Sequence, residues 1–275
     1  MIKVCFIHYY GTPEAANIFA EIVDSLFESG LFEVIDALHL SLHGDPAFGP
    51  SVRELSRISA KLIVYRDCDD HDAIGEAATL MLVRDYVIRA SSVQAVCYLH
   101  TKGATNNSEI QRAWRRYMLD FVVFCWRNAE DKLRSYHLWG VNWSFSGFQF
   151  DEKFPADQWQ RPCGHFMGNF WWARSDYLAS LPPLEIRSGS RYLAEVWVGL
   201  RSARVFNAMR SPSALPDVVF NREDYLPTRN KLLRPTISME IDAETVRVYG
   251  ARVLDCSSPS ADPHRHDPNW EHVIG

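Results

Sequence analysis

The sequence predicts an α/β protein with a mostly parallel central sheet and helices on both faces. Three observations predict it. Short apolar runs rich in β-branched and aromatic residues recur along the first hundred residues, as strands buried on both faces require. Segments with apolar residues at helical spacing alternate with them, the pattern of a doubly covered sheet. Hydrophobic residues make up 47% and charged residues 23% of the 275, a balance that rules out a disordered chain and suits one large domain with or without an appendage.

The elements follow in order. "IKVCFIHYY" predicts a buried first strand. Thr12 is placed to cap the next helix, with Pro13 at its first position. That helix carries a stripe of Ile18, Phe19, Ile22, Val23, Leu26 and Phe27 and ends at Gly30. "FEVIDALHLSL" predicts the second strand, closing in the turn-rich "HGDPAFGP". A short helix is expected over 52–59, a third strand in "AKLIVYRDCDD", and a deeply packed helix over 73–90, where apolar residues lie on nearly all sides. "VQAVCYLH" is the fourth strand. Ser108 and Gln111 form a capping box for a helix expected to run to about Arg134, with Trp114, Tyr117, Met118 and Phe121 in its stripe. "HLWGVNWSF" predicts a further strand, and "GHFMGNFWWARSDYLASLPP" a strand entering a short helix stopped by Pro182 and Pro183. "SRYLAEVWVGLRS" predicts a helix. After residue 205 the pattern weakens to the strand-like "ISMEI" and "VRVYGARVL" and a polar, turn-rich end that reads as a surface arm. The expected organisation is a domain over 1–204 and an extension over 205–275.

A net charge of −5 argues against nucleic-acid or polybasic membrane binding. The six cysteines include no CxxC pair and read as reduced thiols of a cytoplasmic protein. The first residues read as a strand rather than a signal sequence, and no apolar run approaches the roughly 20 residues that span a bilayer.

Ligands of parallel sheets bind at the carboxyl ends of the strands. That rule selects "HYYGT", "HGD", "RDCDDHD" and "HTKGAT". In the last, Lys102 can neutralise a diphosphate, Gly103 permits close backbone approach and Thr101 offers a hydroxyl and an N–H. The plainer reading is a strand-to-helix turn with an exposed lysine. Asp67 and Asp69 have the two-carboxylate spacing that holds a divalent metal, and equally suit a solvated acidic loop. In "HFMGNFWW", Gly168 and Asn169 point to tight backbone beside a ligand, Trp171 to a stacking face and His165 to a directional hydrogen bond, against a simple core role for the aromatics. Glu195, on an otherwise apolar helix, is either a desolvated general base or half of an ion pair with Arg191. Arg112, Arg115 and Arg116 either meet phosphates or solvate a helix face, and His264, His266 and Asp267 have ligand spacing in a polar tail.

"CYLHTKGAT", "WRRYM", "GHFMGNFWWARSDYLASLP" and "RYLAEVW", taken together, resemble a family of bacterial and viral glycosyltransferase-like proteins, distantly similar to rhamnan-synthesis and other surface-polysaccharide enzymes. The resemblance covers roughly residues 1 to 200. It implies a GT-A-type (Rossmann-like) fold and transfer of a sugar from a nucleotide-diphosphate sugar to a hydroxyl of a glycan, lipid-linked or protein acceptor. It implies Glu195 and Lys102 as catalytic, and Tyr9, Gly11, Thr12, His100, Thr101 and Gly103 around the donor. His165, Gly168, Asn169 and Trp171 would lie around the sugars. The fourth strand of such enzymes ends in metal-binding acids; here it ends in His100-Thr101-Lys102-Gly103. The reaction is then expected either without a metal or with Mn2+ or Mg2+. A non-catalytic nucleotide-sugar or carbohydrate-binding module and a metal-requiring nucleotidyltransferase are the alternatives.

Overall fold

The computed structural model describes residues 1–66, 75–144, 164–184, 191–211, 215 and 217–233. Asp67, Asp69, "ISMEI", "VRVYGARVL" and the His264/His266/Asp267 group lie outside the described residues. Along the chain run β1 (Ile2–Gly11), α1 (Ala15–Glu28), α2 (Leu31–Val34), β2 (Ala37–Gly44), α3 (Val52–Ile58), β3 (Leu62–Arg66), α4 (Glu76–Ile88), β4 (Gln94–His100), α5 (Glu109–Val122) and α6 (Trp126–Lys132). Then come β5 (Leu138–Gly140), β6 (Trp143–Ser144), β7 (His165–Phe166), β8 (Trp171–Arg174), α7 (Ser175–Ser180), α8 (Arg191–Val196), β9 (Val205–Asn207) and α9 (Arg222–Leu233).

Among the described residues the main sheet has seven strands in the order β3-β2-β1-β4-β8-β5-β9. β3, β2, β1 and β4 pair in parallel, with His8 opposite His100 at the end of the β1–β4 register. β8 runs antiparallel to both β4 and β5, and β5 pairs in parallel with β9. The α/β class and mostly parallel sheet are therefore as expected; the reversed β8 is not a feature the apolar runs disclosed. β6 and β7 form a separate two-stranded ribbon beside it.

Alternation along the strands divides the interior. Cys5, Ile7, Tyr9, Cys97, Leu99 and Trp172 pack under α1, α5 and α6. Val4, Phe6, Val96, Tyr98, Trp171 and Ala173 pack under α4, α7 and α8. Cys5 and Cys97 are free, buried thiols.

Several local expectations are corrected. Thr12 does not cap α1: Glu14 occupies the cap position without a side-chain bond, and the Thr12 hydroxyl donates to the Ala104 carbonyl (2.7 Å). Residues 31–34 form a helical turn before β2 rather than the start of the strand, because Gly30 at φ +70° ends α1 and turns the chain into α2. The helix expected to reach Arg134 breaks after Val122: the Leu119 carbonyl accepts from both Val123 and Phe124, and the chain re-enters a helix at Trp126. "HLWGVNWSF" is split at Asn142, whose φ of +54° lies in the left-handed region. Ser108 caps α5 as expected, accepting from the Gln111 N–H.

The segment after residue 205 supplies β9 to the sheet and α9 to the face carrying α5. α9 is held by the buried carboxylate of Asp120. Arg222 grips it with two bonds (2.9 and 3.0 Å), the Tyr225 hydroxyl donates to it (2.9 Å), and Arg229 lies 3.6 Å away. Removing the carboxylate would leave these donors short of an acceptor. Asp120→Ala is expected to cost about 3 kcal/mol, a little less than a fully buried pair because Arg222 is half-exposed; a lowered urea midpoint with unchanged slope checks it.

Candidate functional site

The site is built where β4 ends. All seven residues of β4 are buried, so its terminal polar groups must find protein partners. Thr101 extends the β1–β4 ladder: its N–H donates to the His8 carbonyl (3.0 Å) and its hydroxyl accepts from the Tyr10 N–H (3.0 Å). Gly103 turns the chain at φ +90°. Arg115, buried on α5, fixes this loop. One Nη donates to the Lys102 carbonyl (2.8 Å), while Nε and the other Nη reach Glu21 of α1 (2.8 and 2.7 Å). A Cβ at Gly103 would sit 3.1 Å from that guanidinium. The Lys102 ammonium lies over the Trp114 ring, 3.7 Å from its centroid, a favourable cation–π arrangement.

The second motif meets the first here. The Asn169 N–H donates to the Phe166 carbonyl (2.9 Å) across a turn with Gly168 at φ +88°, the type II position that favours glycine. Any Cβ at Gly168 would come within 2.5 Å of the Met118 sulfur and 3.0 Å of the Trp114 indole nitrogen. From the other side, His100 Nε2 donates to the Gly168 carbonyl (2.9 Å). "HTKG" and "GNFWW" thus form one structure, with Trp114 touching both.

A residue that the sequence reading passed over joins them. Glu76, the first residue of α4, accepts from Asn169 Nδ2 (2.7 Å) and from the Tyr98 hydroxyl (3.1 Å), and its other oxygen lies 3.4 Å from His100 Nδ1. Its only sequence signal is an acid in the first turn of an apolar helix, just after Gly75. A carboxylate does stand at the end of β4, but α4 supplies it.

The remaining candidates separate by position. The Asn169 amide is committed at both ends, since its oxygen accepts from the Trp171 indole (2.8 Å). Trp171 is fully buried and stacks on Tyr98 at 5.1 Å. Both therefore form the wall of the site. Tyr9 lies on the α1 face of the sheet, away from Glu76: its ring packs on Phe19, its hydroxyl donates to the Phe48 carbonyl (2.6 Å), and burial pushes its pKa up to about 12. Gly11 packs against the β2 loop so closely that a Cβ would meet the Asp45 carbonyl at 2.4 Å. His165 is buried on β7, and burial lowers its pKa to about 4. Glu195 is half-buried on α8, next to Ala194, whose carbonyl lies 3.5 Å from the Asn169 amide nitrogen. Arg112 bonds the Asn107 carbonyl and Arg116 is exposed.

Imidazoles that no motif disclosed line the α4 face. His8 stacks on His43 (4.8 Å), and its Nδ1 is 2.8 Å from the Thr79 hydroxyl. Burial, then the neighbouring His43 and His100, hold its pKa well below the usual imidazole value. His39 stacks on Phe6 (4.2 Å) and bonds the Tyr65 hydroxyl; burial lowers its pKa to about 4. At the opposite edge, a cavity of about 620 Å3 lined by His137, Asp176, Tyr177 and Arg201 is remote from these groups. Among the described residues, no cluster of three His, Cys, Asp or Glu could hold a metal ion, and no helix is long and apolar enough to cross a membrane.

Compared with protein-family models and with curated proteins, the chain matches none.

The buried imidazoles give stability a pH dependence. A histidine whose folded pKa is lowered takes up a proton more readily unfolded, so stability is full above about pH 6.5 and is lost as pH falls towards 4. Each such residue steepens the fall by up to about 1.4 kcal/mol per pH unit. His39→Gln is expected to flatten the profile between pH 6.5 and 4 in urea titrations at successive pH values.

Proposed function

We propose that the chain is a GT-A-type glycosyltransferase moving a sugar from a nucleotide-diphosphate sugar to an acceptor hydroxyl. The carrying observation is the Lys102 ammonium, held at the carboxyl end of β4 over Trp114, whose indole abuts the 166–169 turn. Departure of a nucleoside diphosphate leaves negative charge, and a cation fixed where it develops stabilises the transition state more than the bound donor. The sheet supports the reading. Its parallel half, β3-β2-β1-β4, has the form of a nucleotide-binding half, and the mixed half begun by β8 would carry the acceptor side. Glu195, on α8 beside that turn, would take the acceptor proton if the reaction inverts. Gly103 and the Thr101 backbone would lie along the diphosphate. The reading places the protein in the cytoplasm.

The described donors at the end of β4 do not suit a divalent cation. Both nitrogens of His100 face protein acceptors, and an ammonium follows. No step is routed through a metal. A second reading, a binding module without chemistry, is favoured by one observation: the Thr101, His100 and Asn169 side chains are all engaged by protein partners. The nucleotidyltransferase reading rests on Asp67 and Asp69 and calls for loss of activity in chelator.

Release of nucleoside diphosphate from UDP-, GDP- and dTDP-sugars, with and without EDTA, tests the proposal. Lys102→Ala is expected to lower turnover at least about tenfold with the fold retained and only a small drop in Tm from the lost cation–π contact, and Glu195→Gln to lower it as well. Full turnover in the lysine variant overturns the phosphate role, and full turnover in the Gln variant overturns the base. Nucleotide binding with no release from any donor favours the module.

A further inference from the structure

We propose that Glu76 is a positioning residue that couples the two halves of the site, setting the 166–169 turn against the end of β4. Its kinetic consequence rests on the sugar-transfer reading; the coupling itself does not.

The turn is gripped from two sides by different forces. On the α5 side the grip is steric: Met118 and Trp114 lie so close to Gly168 that no side chain fits between. On the α4 side it is polar. The Glu76 carboxylate receives the Asn169 amide of the turn and the Tyr98 hydroxyl of β4, with His100 Nδ1 3.4 Å away. His100 spans the same gap, with its other nitrogen on the Gly168 carbonyl. Tyr98 and Asn169 are almost fully buried, so neither can exchange the carboxylate for bulk water without opening the structure. The carboxylate is largely shielded, with its side chain 21% exposed, and it stands in the first turn of a 13-residue helix, where the backbone field favours a negative group. Two buried donors already on one of its oxygens suit it to hold geometry rather than to accept a substrate proton.

The donor loop is fixed independently. Arg115, paired with Glu21, holds the Lys102 carbonyl, while Tyr10 and Thr12 hold Thr101 and the Ala104 carbonyl, all without Glu76. Loss of the Glu76 carboxylate should therefore free the acceptor-side turn and leave the diphosphate loop in place. The kinetic sign is a split: transfer falls at least about tenfold while nucleoside diphosphate affinity stays within about twofold.

A donor–acceptor swap tests this. Asn169→Asp sets two carboxylates face to face and is expected to speed amide exchange over residues 165–172 at least about tenfold, as is Glu76→Ala. Adding Glu76→Gln to Asn169→Asp puts the amide on α4 and the carboxylate on the turn, and should return exchange and turnover to within about threefold of wild type. Binding is measured with whichever of UDP, GDP and dTDP the wild type binds best. The proposal is overturned if Asn169→Asp leaves exchange unchanged, or if the double variant is no better than Asn169→Asp alone. Should Glu76→Ala fail to fold, the Asn169→Asp and swapped variants decide the question. Should the wild type bind no nucleotide and turn over no sugar, the transfer reading fails while the exchange measurements still decide the coupling.

Discussion

β4 is bonded in parallel to β1 and antiparallel to β8, so both halves of the sheet hang on seven residues with no exposed side chain. Burial of that kind leaves the polar end of the strand no recourse to water. Each group there is met by a different element: Thr101 by β1, the Lys102 carbonyl by α5, His100 by the turn before β8, and Tyr98 by α4. The site is assembled by the need to satisfy β4, and four separate elements are enlisted to do it.

Much of the parallel half was legible. Strands β1, β2 and β4 and helices α1 and α5 are long and strongly patterned, α4 shows as an apolar run without a stripe, and Ser108 and Gly30 behave as their residue types demand. The mixed half was not, because β5 to β9 have only two to four residues each and cannot show a period. The direction of β8 leaves no trace in its composition. "HTKG" and "GNFWW" are each unusual as sequence, yet their contact is a tertiary fact, carried by the His100 imidazole against the Gly168 carbonyl and the Phe170 ring. Glu76 escaped because an acid at a helix start is ordinary, and its partners lie 22 to 93 residues away.

The electrostatic character of the site is uneven. Imidazoles crowd the α4 face of β1 and β2, and burial keeps His8 and His39 uncharged. Positive charge enters at the edge, through Lys102 lying on an indole. The charges beneath it are paired or bonded within the protein: Arg115 with Glu21, and Glu76 with the Asn169 amide and the Tyr98 hydroxyl.

Arg115 widens the territory on which the site depends. Because its guanidinium is shared between the Lys102 carbonyl and Glu21, the shape of the loop after β4 is written partly in α1, some 80 residues earlier in the chain. A drifting lineage could keep every residue of "HTKGAT" and still lose the loop through a neutral-looking change at Glu21. The two positions form a single structural unit, and a motif confined to the loop holds only half of it.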